Sequence, residues 1–159
     1  MDLQGVCSFT GHRKIPTAQL ASLEAKLAEI VTLLYTRGVR DFYTGGAMGF
    51  DRMAARTVLA LKKTYPHVRL HLLLPCRGQD AGWQAKEKAA YERECKAADE
   101  VTYLADQYYE GCMQVRNQAL VDHAHIMVAF VTNPRSGAGQ TVRMAKAKGV
   151  PVINLAELL

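Results

Sequence analysis

The chain lacks most of the marks that would announce its chemistry. Its four cysteines, Cys7, Cys76, Cys95 and Cys112, stand apart with no C-x-x-C pair. That spacing excludes common zinc and dithiol motifs and suits a reducing compartment, where the thiols serve as small apolar residues. No apolar run approaches the roughly 20 residues that cross a bilayer, and no basic stretch followed by an apolar one opens the chain as a secretory signal would. A cytoplasmic protein without membrane association is the expectation. The absence of G-K-S and G-K-T removes the P-loop way of holding phosphate. Aromatic residues make up only 8%, and Trp83 is the one tryptophan, a thin supply for stacking along a nucleic-acid strand. His123 and His125 have no third ligand at metal-site spacing, so no metal is assigned.

What is present is a chain of 159 residues, 49% hydrophobic and 22% charged, enough for one buried core and too little for two. Residues 1–159 therefore read as a single domain. The net charge of +5 is spread along the chain with no basic tail, which suits small anionic partners better than nucleic acid. Short apolar runs at 6–9, 39–43, 68–74, 101–104, 126–131 and 151–154 predict strands. Helical patterns lie between them. Leu20, Leu23, Leu27, Ile30, Val31 and Leu34 keep helical spacing until Gly38, and further helices are predicted over about 53–61, 83–98, 113–122 and 140–148. Strands alternating with helices predict an α/β, Rossmann-like doubly wound fold with a mainly parallel sheet and helices on both faces. In such folds ligands bind outside the carboxyl ends of the strands, at the point where strand order reverses.

Two glycine-rich stretches follow strands. Thr44-Gly45-Gly46-Ala47-Met48-Gly49-Phe50-Asp51 follows the second strand and opens into a helix. It reads as a phosphate-binding turn, because Gly45, Gly46 and Gly49 let backbone approach a ligand and a helix start offers unpaired N–H groups. The same glycines also suit tight packing of a helix on a sheet. The usual dinucleotide fingerprint is not met: Thr44 stands where its first glycine belongs, and Arg69 and His71 stand about 20 residues on, where an acid is required. A conventional NAD-dependent dehydrogenase is therefore not expected. The second stretch, Ser136-Gly137-Ala138-Gly139-Gln140-Thr141, separates the fifth strand from the last long helix and offers a second phosphate or ribose site.

These stretches, with Thr10-Gly11-His12-Arg13 after the first strand and Arg116-Asn117 ahead of the fifth, resemble the YpsA-like branch of the SLOG superfamily. The resemblance covers essentially the whole chain. It implies a Rossmann-like fold, a nucleotide or nucleotide-sugar ligand such as ADP-ribose, and a homodimer, and it carries no settled reaction. The superfamily also contains the LOG phosphoribohydrolases, whose motif joins a catalytic arginine to P-G-G-x-G-T-x-x-E. Met113-Gln114-Val115-Arg116 is similar to the arginine segment, yet Arg143 stands in the place of the glutamate. Glycosidic-bond hydrolysis needs a carboxyl group that an arginine does not supply. Only Asp51 is at hand to substitute. The superfamily's DNA-processing protein DprA has a glycine motif similar to residues 45–51, which makes a single-stranded DNA-binding module a further alternative.

The expected ligand-binding set is Thr10, Gly11, His12, Arg13, Gly45, Gly46, Gly49, Asp51, Trp83, Arg116, Gly137, Gly139 and Thr141, with Arg116 and Asp51 as the catalytic candidates. Arg13 is read as a phosphate contact. His12 is either a general base or a hydrogen-bonding loop histidine, and Asp51 either a ribose ligand or a residue that favours its helix dipole. Trp83 either stacks on a base or packs its helix on the sheet. The expected activity is binding of a nucleotide or nucleotide-sugar phosphate by a sensor or regulatory protein. The alternatives are a LOG-like nucleoside-monophosphate phosphoribohydrolase and, behind it, a nucleic-acid partner bound as DprA binds its own.

Overall fold

A computed structural model describes residues 5–159. Strand β1 (Gly5–Gly11) leads through a short 3-10 turn into α1 (Leu20–Thr36), and β2 (Val39–Thr44) into α2 (Phe50–Thr64). Then come β3 (Arg69–Leu74), α3 (Ala85–Ala97), β4 (Glu100–Tyr103), α4 (Cys112–His123), β5 (Ile126–Phe130), α5 (Gly137–Ala147) and β6 (Val152–Asn154). All strand pairings are parallel, in the order β4-β3-β2-β1-β5-β6. Strand order therefore runs outward from β1 to β4, then reverses and continues on the other side of β1. The switch point lies between β1 and β5.

Side-chain alternation divides the strands between two helical layers. Phe9, Phe42, Leu70, Leu72, Leu74, Val128 and Phe130 point to one face, where α1 contributes Leu23, Leu27 and Val31, α2 contributes Met53, Ala54 and Val58, and α3 contributes Tyr91. On the other face Tyr43 and Leu73 meet Leu120 of α4, while Met127 meets Val121 of α4 and Ala145 of α5. The fold is the doubly wound parallel α/β arrangement expected from the alternating pattern. Phe50, the first residue of α2, is fully buried with its ring 6.3 Å from Phe9 and 6.2 Å from Phe130. A Cβ on Gly11 would come within 2.5 Å of that ring, so glycine at the end of β1 is what lets α2 start under the switch point.

Among the boundaries that differ from the sequence reading, two have a plain local reason. Residues 137–139, expected as the end of a loop from Thr132 to Gly139, are already helical, because Ser136 caps α5 by accepting the Gly139 N–H at 3.0 Å. Helix α3 begins at Ala85 rather than Trp83, since Gln84 is extended and Trp83 turns its ring edge-on to Tyr91 at 5.3 Å.

Helix α3 also carries an unusual acid. Glu94 is only 6% exposed, neither of its oxygens has a hydrogen-bond partner among the described residues, and Arg52 stands 3.9 Å away. Burial first, and the Asp51 charge second, push its pKa from 4.5 to about 8, against Arg52 and Arg56. A raised acid binds its proton more tightly in the folded state than in the unfolded one. Its contribution is thus full below 4.5 and is lost as pH rises to about 8. The melting temperature of the wild type should fall across that window, and Glu94→Gln should remove most of the fall; parallel curves for the two proteins would contradict the assignment.

A second expectation concerns the turn into α2. Gly49 has φ +75°, and a Cβ there would meet the Arg13 carbonyl oxygen at 2.3 Å, whereas Gly78, at φ +74°, has nothing within 4 Å. Gly78→Ala should cost about 1 kcal/mol of backbone strain. Gly49→Ala should cost about 2–3 kcal/mol or more, because rigid backbone must also move. Urea denaturation of the two variants measures the difference.

Candidate functional site

A cavity of about 270 Å³ opens at the switch point. Its walls come from the end of β1 and the loop beyond (Thr10–Arg13), from Ala47 and Asp51 of the glycine turn, from one face of α4, and from residues 136–138 at the start of α5. The α4 wall consists of Met113, Arg116, Asn117 and Leu120. Their i, i+3, i+4, i+7 spacing puts them on one side of the helix. The Ser8 hydroxyl donates to the Leu120 carbonyl at 2.7 Å and holds that side over β1.

The glycine turn is an anion cradle, and the anion it holds belongs to the protein. Asp51 is 6% exposed, and its carboxylate accepts the Ala47 N–H at 3.3 Å and the Gly45 N–H as well. Burial raises the Asp51 pKa, opposed by the charge of Arg116, by those two N–H groups and by Arg13. Arg116 itself is 6% exposed; its Nη1 donates to the Gly45 carbonyl at 2.7 Å and its Nε to Asn117 at 2.8 Å. At the entrance to α2, the Phe50 N–H is taken by the His12 carbonyl at 3.0 Å.

The glycines of the turn are there for packing. A Cβ on Gly45 would come within 2.5 Å of Arg116, one on Gly46 within 2.4 Å of Leu74, and one on Gly49 within 2.3 Å of the Arg13 backbone. None of the three lines the cavity. Gln79 supports the same turn from behind, its amide 3.4 Å from the Gly46 carbonyl.

The start of α5 is different. Gly137 and Ala138 face the cavity, and in the first turn of a helix their N–H groups have no intrahelical acceptor. A Cβ on Gly137 would meet nothing within 4 Å. Gly139 and Thr141 stand behind this opening. The Gly139 N–H is taken by Ser136, and the fully buried Thr141 donates its hydroxyl to the Gly137 carbonyl at 2.9 Å.

His12 Nε2 accepts the Thr132 N–H at 2.8 Å, which places the ring proton of the neutral form on Nδ1. Burial pulls its pKa below the usual 6.5. The basic nitrogen is thus spent on clasping the loop after β1 to the loop after β5, as a hydrogen-bonding loop histidine does. Arg143, in the place of the LOG glutamate, donates to the Pro134 carbonyl. His123 stacks on Tyr43 at 4.7 Å, whereas the neighbouring His125 accepts the Val6 N–H at 3.0 Å.

Of the residues expected to bind ligand, the cavity brings together Thr10, Gly11, His12, Arg13, Asp51, Arg116 and Gly137. Gly45, Gly46, Gly49, Gly139, Thr141 and Trp83 stand outside it. Trp83 packs against Tyr91 and the core on the far side of α2. The cavity also takes in Ala47, Met113, Asn117, Ser136 and Ala138, which the sequence reading placed in its motifs without singling them out as ligand contacts, and Leu120, which it did not name. The helical spacing of 113, 116, 117 and 120 is the signal that marks the α4 group. Chemically the cavity offers two guanidinium groups, free N–H groups at a helix start, and one buried carboxyl with a raised pKa.

The comparisons agree with this architecture. The chain is 31% identical to the SPbeta prophage-derived protein YoqJ of Bacillus subtilis over 84% of either chain. It is 31% identical to a UPF0398 protein of Halalkalibacterium halodurans over 68% of this chain and 58% of that one. In structure it resembles DNA processing protein A of Helicobacter pylori, described for its single-stranded DNA binding mode, with a TM-score of 0.65 at 17% identity, over 92% of this chain and 63% of that one. At that identity the likeness speaks for the fold alone. The YspA SLOG family model matches residues 11–149, and with the switch-point cavity and its flanking motifs in place, the chain belongs to that family.

Proposed function

We propose that the chain binds the phosphate and ribose of a nucleotide or nucleotide sugar, of the ADP-ribose kind, in the switch-point cavity, and that it acts as a sensor or regulatory protein. The observation that carries this reading is the convergence of Arg13, Arg116 and the unpaired N–H groups of Gly137 and Ala138 on one cavity at the carboxyl ends of β1 and β5. Guanidinium groups and a helix start are the two protein devices best matched to phosphate. Asp51 gives the site an acceptor suited to ribose hydroxyls. The cavity volume of about 270 Å³ lies just below the usual range of small-molecule sites and suits a phosphate and a sugar better than a large apolar ligand.

A second reading, the phosphoribohydrolase, is favoured by Asp51. Its buried carboxyl with a raised pKa lines the same cavity as Arg116, so a group able to hold a proton stands near the site although the LOG glutamate is replaced by Arg143. Release of free base from AMP, followed by chromatography, distinguishes turnover from binding alone.

The binding reading is tested with Gly137→Asp. The new carboxylate enters open space at the first helical position, where an acid suits the dipole, so the melting temperature of the free protein should hold or rise slightly. At one hundred times Kd, AMP or ADP-ribose should stabilise the wild type by about 2.7 kcal/mol. That is a rise of roughly 5–10 °C for a domain of this size. Gly137→Asp should abolish the rise; a shift that survives the substitution overturns the placement of the site.

A further inference from the structure

Arg13 lines two cavities. Besides the switch-point cavity it borders a groove of about 290 Å³ along α2, which it shares with Ile15, Met48, Arg52, Met53 and Arg56. Three guanidinium groups face this groove against one carboxylate, Glu87. Arg52 is held in place by Glu87, yet its Nε is buried without a hydrogen-bond partner. Among the described residues, the guanidinium groups of Arg13 and Arg56 make no hydrogen bond or ion pair. Ile15, Met48 and Met53 supply an apolar wall in the same groove. Cations flanking an apolar wall, next to a phosphate-sized cavity, form a surface that alternates charge with apolar contact as a nucleotide chain does.

We propose that this groove is a second subsite, and that the ligand is a 5′-phosphorylated dinucleotide. Its terminal phosphate lies in the switch-point cavity, its first nucleoside passes Arg13 and the apolar wall, and its internal phosphate meets Arg52 and Arg56. The inference rests on the reading of the cavity given above and extends it, since a mononucleotide leaves the groove empty. The internal phosphate also gives the Arg56 guanidinium a hydrogen-bonded anionic partner, which it lacks among the described residues.

Titration calorimetry on the intact chain with AMP, the dinucleotide pApA and a twenty-nucleotide oligoadenylate tests this at two salt concentrations. The dinucleotide should bind at least about tenfold more tightly than AMP, with a steeper salt dependence, because one more phosphate is neutralised. Arg56→Ala, an exposed substitution on α2, should remove most of that gain and leave AMP affinity unchanged, whereas Arg13→Ala should weaken both ligands. Equal affinity for AMP and pApA, or a gain that survives Arg56→Ala, overturns the subsite. An oligonucleotide that binds much more tightly than pApA overturns the two-unit ligand in favour of a strand. Binding of pApA with none of AMP leaves the groove standing and instead overturns the mononucleotide reading of the cavity.

Discussion

The arrangement rests on a buried carboxylate. Asp51, in the first turn of α2, accepts backbone N–H groups from the turn that joins β2 to this helix, and faces the charge of Arg116 reaching across from α4. A buried charge is tolerated only when hydrogen bonds and a counter-charge replace the water it has lost. The turn must therefore close tightly around Asp51, and it does so with glycines whose missing Cβ atoms make room for Arg116, Leu74 and the Arg13 backbone. Arg116 in turn holds the Gly45 carbonyl, so α4 is latched to the β2 end of the sheet by the group that balances the charge.

That constraint redirects the site. A glycine-rich turn before a helix attracts anions in general, but here the anion is already covalently present. The helix start left open is on the other side of the switch point, where α5 begins with Gly137 and Ala138 facing the cavity. The crevice exists because strand order reverses between β1 and β5, so the loops beyond those strands diverge. His12 spans the divergence, accepting from the Thr132 N–H, and keeps the two loops in register. Arg13, one residue further, faces both the crevice and the groove along α2.

Much of this is legible in the amino-acid sequence. Periodicity places all six strands and the five long helices, and the alternation implies the parallel, doubly wound sheet. Arg13, Asp51, Arg116 and Gly137 stand out by residue type and by their position after strands, and the fold gathers them around one cavity. The glycines are harder to read. Gly45, Gly46 and Gly49 look like ligand-facing positions, yet the reason for a missing Cβ is a neighbouring atom, and that atom belongs to α4, β3 or the β1 loop, distant in sequence. Trp83 poses the same problem: a lone tryptophan beside a strand end fits a base or a core, and only Tyr91 on the following helix decides for the core.

The sequence by itself determined the element order and the two-layered covering of the sheet, and it marked Arg13, Asp51, Arg116 and Gly137 by type and position, since these follow from local patterns and side-chain chemistry. Tertiary structure alone decided which glycine turn is filled by the protein's own groups and which is left open. The two turns look alike because each joins a strand to a helix with small residues. They differ because Asp51 folds back into the first and Arg116 arrives there from α4, while nothing fills the space beside Gly137. Burial and counter-charge are properties of the packed whole, and neither is written in the local spacing of glycines.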